Sequence, residues 1–272
     1  MNNGYAGESW SKKYARASYW LTAKKSFGDA FGNFTHCALS SREAGDHFVG
    51  LAFGLNVTCV DIDGAAIMAA KEKGAAVWHG DIAEYVERFS PNHVFLDFCS
   101  TVNKKTLEII ERVARAMPNR GYLGIAAMYG RDEPIMPLVS GNRSRRRQYE
   151  SSMRSTWQKN AEVEVKSWRR LLIVHGQVLA SRGARSVPHV TFMCQYKGHS
   201  VPMFIVGMTF DGPDRRKPMV VHVPKESAAK QRIRNLCVQS SFTGDSHLYN
   251  VPAGTIAAWR AHETRGTYRS AS

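Results

Sequence analysis

Three aspartates, Asp61, Asp81 and Asp97, each close a short apolar run, the second twenty residues after the first and the third sixteen after that. The runs are Asn56-Val-Thr-Cys-Val-Asp-Ile62, Ala75–His79 closing on Gly80-Asp81, and His93-Val-Phe-Leu-Asp-Phe98. Ligands of a parallel sheet bind where the carboxyl ends of its strands open into a crevice. An acid after the second strand of such a sheet can accept both hydroxyls of a ribose. One after the third can accept the exocyclic amine of adenine, with Ile62 and Ile82 covering the two faces of the purine. The plainer role for each acid is to cap the next helix, as Asp63 does ahead of Gly64. Three acids in the same topological place favour a ligand.

The elements that must position these acids follow from periodicity. Strands are predicted at 33–39, 56–62, 75–79, 93–98 and 122–128. Between them lie helices running from Ser40-Ser41 to Gly54, over 64–73, 82–89 and 104–117. Gly74 ends the second of these helices, Ser90-Pro91 the third, and Pro118 with Gly121 the fourth. Short strands alternating with helices mean right-handed crossovers and a parallel sheet. Residues 143–182 read as a long basic helix, and 188–196 and 201–209 as strands joined by the turn Lys197-Gly-His-Ser200. The expected fold is therefore α/β: a doubly wound, mostly parallel, seven-stranded sheet with an antiparallel edge hairpin. A helical N-terminal preface over 1–30 carries Lys12, Lys13, Arg16, Lys24 and Lys25, the core domain covers 31–210, and 211–272 is a basic extension without clear pattern.

Val60-Asp-Ile-Asp-Gly64, Trp78-His-Gly-Asp81 and Val94-Phe-Leu-Asp-Phe98, in this order and spacing, resemble the class I S-adenosylmethionine-dependent methyltransferase family over residues 33–130. The resemblance implies S-adenosylmethionine as cofactor, with Asp61 on its ribose, Asp81 on its adenine amine and Asp97 beside the transferred methyl group. One departure stands out. The family carries a glycine-rich turn after the first strand, whereas this chain has Ala38-Leu-Ser-Ser-Arg-Glu-Ala-Gly-Asp46 with the single glycine Gly45. Either Ser40, Ser41 and Glu43 replace the backbone contacts, the carboxylate meeting the cofactor's ammonium, or the pocket is eroded. The same lack of G-x-G-x-x-G counts against a nicotinamide dehydrogenase.

Leu96-Asp-Phe-Cys-Ser-Thr101 leaves two chemistries open. Amino-methylating nucleic-acid enzymes of the family place a polar acceptor and an aromatic here, roles open to Asp97 and Phe98, although the usual prolines are absent. Cytosine-C5 enzymes place a nucleophilic cysteine just after this strand, where Cys99 stands. Transfer itself asks for little acid–base help, because the sulfonium is a good leaving group and alignment does most of the work.

The partner is read from charge. Residues 1–140 hold 15 Lys and Arg against 15 Asp and Glu, while 141–272 hold 22 against 8, so the whole excess of +14 lies in the second part. Arg143, Arg145, Arg146, Arg147 and Arg154 are interleaved with Tyr149, Trp157 and Trp168, and further clusters sit at 214–217 and 230–234. Cations that track phosphates beside aromatics that stack on bases suit DNA or RNA. Packing of the helix onto the sheet is the plainer role of Trp168. The expected function is methyl transfer to a nucleic-acid base. Alternatives are a catalytically inactive nucleic-acid-binding protein on the same scaffold, and a small-molecule methyltransferase.

No run of about 18 apolar residues spans a membrane, and no secretory signal is seen at the N-terminus. Five cysteines, widely spaced and never in C-x-x-C, argue against both a disulfide framework and a zinc knuckle. A reducing, cytoplasmic or nucleoid-associated location follows as the expectation.

Overall fold

A computed structural model describes residues 9–128, 165–183, 185–197, 202–210 and 219–222. Its strands are β1 (His36–Leu39), β2 (Val57–Asp61), β3 (Ala76–His79), β4 (His93–Thr101), β5 (Gly121–Met128), β6 (Pro188–Lys197), β7 (Pro202–Phe210) and β8 (Met219–His222). The helices are α1 (Trp10–Phe27), α2 (Gly45–Ala52), α3 (Gly64–Glu72), α4 (Ile82–Phe89), α5 (Lys104–Ala116) and α6 (Val165–Arg182).

All strands join one sheet in the order β3-β2-β1-β4-β5-β7-β6-β8. The first five run parallel to one another, and β7 is inserted antiparallel between β5 and β6. The doubly wound sheet and its antiparallel hairpin are as expected from sequence. The sheet is one strand wider than expected: β8 pairs parallel with β6, so residues assigned to the C-terminal extension supply an edge strand.

Local chemistry explains where the helices start. Asp63 accepts the Ala65 N–H at 2.9 Å, and Asp81 accepts those of Ala83 and Glu84 at 2.8 and 3.1 Å. Asn103 and Thr106 form a reciprocal capping box at the start of α5. Helix α1 begins on the Ser9 hydroxyl, ends at Gly28 in the left-handed region, and carries Lys24 and Lys25 in its last turn, where the helix dipole favours cations.

Alternation along the strands divides the core between two faces. On one face α4, α5 and α6 cover Val94, Leu96, Leu123, Ile125, Val206 and neighbours. On the other α1 lies across β4–β7, burying Tyr19 and Trp20 against Phe95, Tyr122, Phe192 and Ile205. Thus α1 is part of the main core. Gly124 makes the close approach possible, since a Cβ there would stand 2.3 Å from the Tyr19 ring. Helices α2 and α3 cover β1 and β2 with a smaller cluster of Ala44, Cys59, Ala70 and Ala75.

Two buried polar arrangements tie these layers together. The first runs Phe31–His36–His93–Tyr19. The carbonyl of Phe31 can only accept, so His36 Nε2 carries a proton and donates to it across 3.1 Å. Neutral His36 must then accept at Nδ1 from His93 Nδ1–H at 3.0 Å. His93 Nε2 is left to accept the Tyr19 hydroxyl at 2.8 Å. One neutral proton arrangement satisfies every member. The second is Arg182, buried beneath the end of α5. Its five N–H donors reach the carbonyls of Ala114, Met117 and Pro118, Asn119 Oδ1 and Ser186 Oγ, with the guanidinium 4.5 Å from the Phe210 ring centroid. The negative end of the α5 dipole also favours the buried cation there.

Candidate functional site

The register places the polar groups. Ala38 pairs with Phe95, Leu39 with Val60, and Asp61 with His79. One residue beyond the last β1 pair, Ser40 stands level with Asp61, and two residues beyond Phe95 stands Asp97. Ser40, Asp61 and Asp97 thus share one level and one face at the carboxyl ends of three adjacent strands, β2, β1 and β4. Strand order reverses between β1 and β4, which makes this the topological switch point of the sheet. Two strand spacings put Asp61 and Asp97 roughly 10 Å apart.

Asp97 is the most constrained member. Its side chain is 5% exposed, and its Oδ2 lies 2.8 Å from both Lys12 Nζ and an Arg16 guanidinium nitrogen. Oδ1 is buried with no hydrogen-bond partner among the described residues. Burial pushes the carboxyl up, but Lys12 and Arg16 together outweigh it and hold Asp97 below the usual carboxylate range. Arg16 Nε is 3.1 Å from Asp46 in the first turn of α2, and Asp46 also accepts the Trp20 indole N–H at 2.9 Å. One buried guanidinium therefore links the end of β4 to the start of α2.

Asp61 is half-buried and accepts the Asp63 N–H at Oδ1, 2.8 Å away; burial, more than the neighbouring Asp63 charge, raises its carboxyl. Ile62 beside it is 69% exposed, an uncovered apolar surface next to the acid. Asp81 does the capping work, and its three bonds, including the 3.5 Å contact from Arg112, all fall on Oδ1.

The turn after β1 is built without a glycine where the backbone is most unusual. Ala44 adopts φ 50°, ψ 38° as the N-cap of α2, and Gly45 begins the helix. Ser40 donates from its backbone to Val60 O at 2.8 Å and from its hydroxyl to Ser41 O at 3.2 Å. Ser41 and Glu43 are partly exposed on the same turn.

Two residues expected at the site are placed elsewhere. Phe98 lies in the core on the opposite face of the sheet, 7% exposed, because adjacent strand residues alternate and Asp97 takes the crevice side. Ile82, 3% exposed, is buried in that same core, so that of these two isoleucines Ile62 is the one that presents an apolar surface beside the acids. Cys99 is exposed just beyond Asp97, where the pairing of β4 with β5 shifts between Asp97 and Thr101. Desolvation among the strand ends and the Asp97 charge raise its thiol, which keeps it protonated at neutral pH. Arg143, Arg145, Arg146, Arg147 and Arg154 lie outside the described residues. Among the described residues no group of three or more His, Cys, Asp and Glu could hold a metal, and no helix is long and apolar enough to cross a membrane.

Sequence reading missed Lys12, Arg16, Asp46 and Trp20 as members of the site. The available signal was the i,i+4 spacing that puts Lys12 and Arg16 on one helix face with Tyr19 and Trp20 following. Only the docking of α1 reveals that this face meets Asp97.

No protein-family profile matches the chain, and no curated protein does. Among solved structures it is similar to Trm1 from Pyrococcus horikoshii in complex with S-adenosyl-L-methionine, at 12% identity and a TM-score of 0.45, over 77% of this chain and 58% of that one. It is similar to magnesium protoporphyrin IX methyltransferase from Synechocystis with bound S-adenosylhomocysteine, at 9% identity and a TM-score of 0.46, over 74% of this chain and 85% of that one. An O-methyltransferase family protein from Burkholderia thailandensis matches at 15% identity and a TM-score of 0.40, over 74% of this chain and 58% of that one. The sheet, with its strand-order reversal between β1 and β4 and β7 antiparallel between β5 and β6, has a Rossmann-like α/β architecture. The chain spans 58% of the length of both Trm1 and the O-methyltransferase.

Proposed function

We propose that this chain is an S-adenosylmethionine-dependent methyltransferase that acts on a nucleic-acid base. The observation carrying the reading is the row of Ser40, Asp61 and Asp97 on one face at the strand-order reversal, with one buried oxygen of Asp97 that has no hydrogen-bond partner among the described residues. In this reading Asp61 accepts the ribose hydroxyls, exposed Ile62 covers one face of the adenine, and the second oxygen of Asp81 accepts its amine. Ser40, Ser41, Glu43 and Gly45 border the methionine end. Asp97, ionised and acceptor-only, faces the cofactor's positive charge and the acceptor amine; Cys99 takes no covalent part. When bound, the cofactor supplies an electrophilic methyl group, and the protein's contribution is alignment and charge. The nucleic-acid assignment rests on the basic excess of residues 141–272.

Isothermal titration with S-adenosylmethionine and S-adenosylhomocysteine tests the cofactor assignment. Both should bind, and Asp61→Ala should abolish the heat; no heat with the unaltered protein would overturn the reading. Nucleic-acid affinity should fall steeply with salt, and replacing Arg145 and Arg146 by alanine should lower the slope by about one per lost phosphate contact. The competing reading, a binding scaffold without catalysis, is favoured by the seating of Lys12 and Arg16 on Asp97 and by Ala44 where a glycine would open the turn. Salt-dependent nucleic-acid binding without cofactor heat would select it.

A further inference from the structure

We propose that Arg16, seconded by Lys12, is the positioning residue of this site: it holds Asp97 by Oδ2, keeps a fixed negative charge beside the cofactor's sulfonium, and ties that charge through Asp46 to the first turn of α2. The inference rests on the methyltransferase reading and adds to it a role for a helix that contributes none of the strand-end acids.

Arg16 is 1% exposed and reaches two carboxylates from different elements, Asp46 at 3.1 Å and Asp97 at 2.8 Å. A carboxylate buried as deeply as Asp97 would take up a proton if left alone, and a neutral acid has no attraction for a sulfonium. Among the described residues the charged and titratable groups around Asp97 are Lys12 and Arg16 on α1, Asp46 on α2, Cys99 further along β4, and Asp61 on β2. Of these only Lys12 and Arg16 favour its ionised form, and both engage the same oxygen, so Oδ1 stays clear of them. Because Arg16 also bears on Asp46, the end of β4 and the start of α2 are held by a single side chain, and the two sides of the cofactor crevice share one register. The rigid geometry of a guanidinium suits this better than a flexible ammonium would.

The test compares the affinities of S-adenosylmethionine and S-adenosylhomocysteine as a function of pH, because only the first carries the sulfonium. In the unaltered protein the affinity ratio should be flat between pH 8 and 5. In Arg16→Met it should fall about tenfold as Asp97 takes up a proton, while Arg16→Lys should restore a flat profile. Lys12→Met removes the less buried of the two cations and should give the same trend with a smaller amplitude, which covers the case in which Arg16→Met does not fold. Carbon-13 NMR of the Asp97 carboxyl should show its titration moving to higher pH in the same variants. Two failures are distinguishable. If the unaltered protein binds neither compound, the methyltransferase reading falls and this role falls with it. If it binds both, and Arg16→Met or Lys12→Met keeps the same pH-independent ratio and the same Asp97 titration, the reading stands and the role of Arg16 is refuted.

Discussion

Acidification from pH 8 towards pH 5 should destabilise this protein through the buried His36–His93 pair. The hydrogen-bond chain from Tyr19 to Phe31 is satisfied with both imidazoles neutral, and burial disfavours charging either ring. Burial lowers the His36 imidazole from 6.5 to about 4, and burial together with its neighbour holds His93 well below 6.5. Between these values the unfolded chain binds a proton on each ring and the native chain does not, so protons favour unfolding and stability falls as pH falls. The contribution of His36 is complete above 6.5 and is lost on the way down through about 4, which amounts to about 3 kcal/mol. That is a large share of the roughly 5–15 kcal/mol that holds a typical domain together.

Urea unfolding followed by circular dichroism at several pH values between 8 and 5 measures the slope. Burial lowers His47 and His175 as well, so the total slope is shared, and a variant isolates one contribution. His36→Gln keeps a donor for the Phe31 carbonyl but cannot titrate. Its slope should be smaller than that of the unaltered protein by up to about 1.4 kcal/mol per pH unit. The low carboxyl of Asp97 acts only below the usual carboxylate range, outside this window. An unchanged slope in His36→Gln would refute the assignment of a neutral pair.

Two further expectations concern the scaffold. Arg182→Leu should cost about 3–5 kcal/mol in urea unfolding, since it strands the α5 carbonyls; Arg182→Lys should recover only part of this, having three donors for five acceptors. Ser90, exposed at the end of α4 with φ 44°, should accept glycine with a gain of roughly 0.5–1 kcal/mol, because left-handed backbone costs an L-residue more than glycine's extra chain entropy; a lowered melting temperature for Ser90→Gly would count against that strain.

The sequence alone specified the alternation of strands and helices, the hairpin at the sheet's edge, and the acids at the ends of three parallel strands. These are local properties: a repeat of two or 3.6 residues, an aspartate in front of a helix, a glycine or proline behind one. It also identified the glycine-poor turn, though not that Ala44 would take the left-handed backbone there. Tertiary structure decided which of the marked residues meet. Phe98 and Ile82 were lost to the core because facing depends on which side of the sheet each helix covers, and β8 joined the edge from a segment with no pattern of its own. Arg16 and Asp97 are 81 residues apart, and His36 and His93 57 apart. Nothing in the neighbourhood of either partner along the chain encodes such a pair, since the attraction exists only once packing has removed both groups from water and brought them within reach of each other.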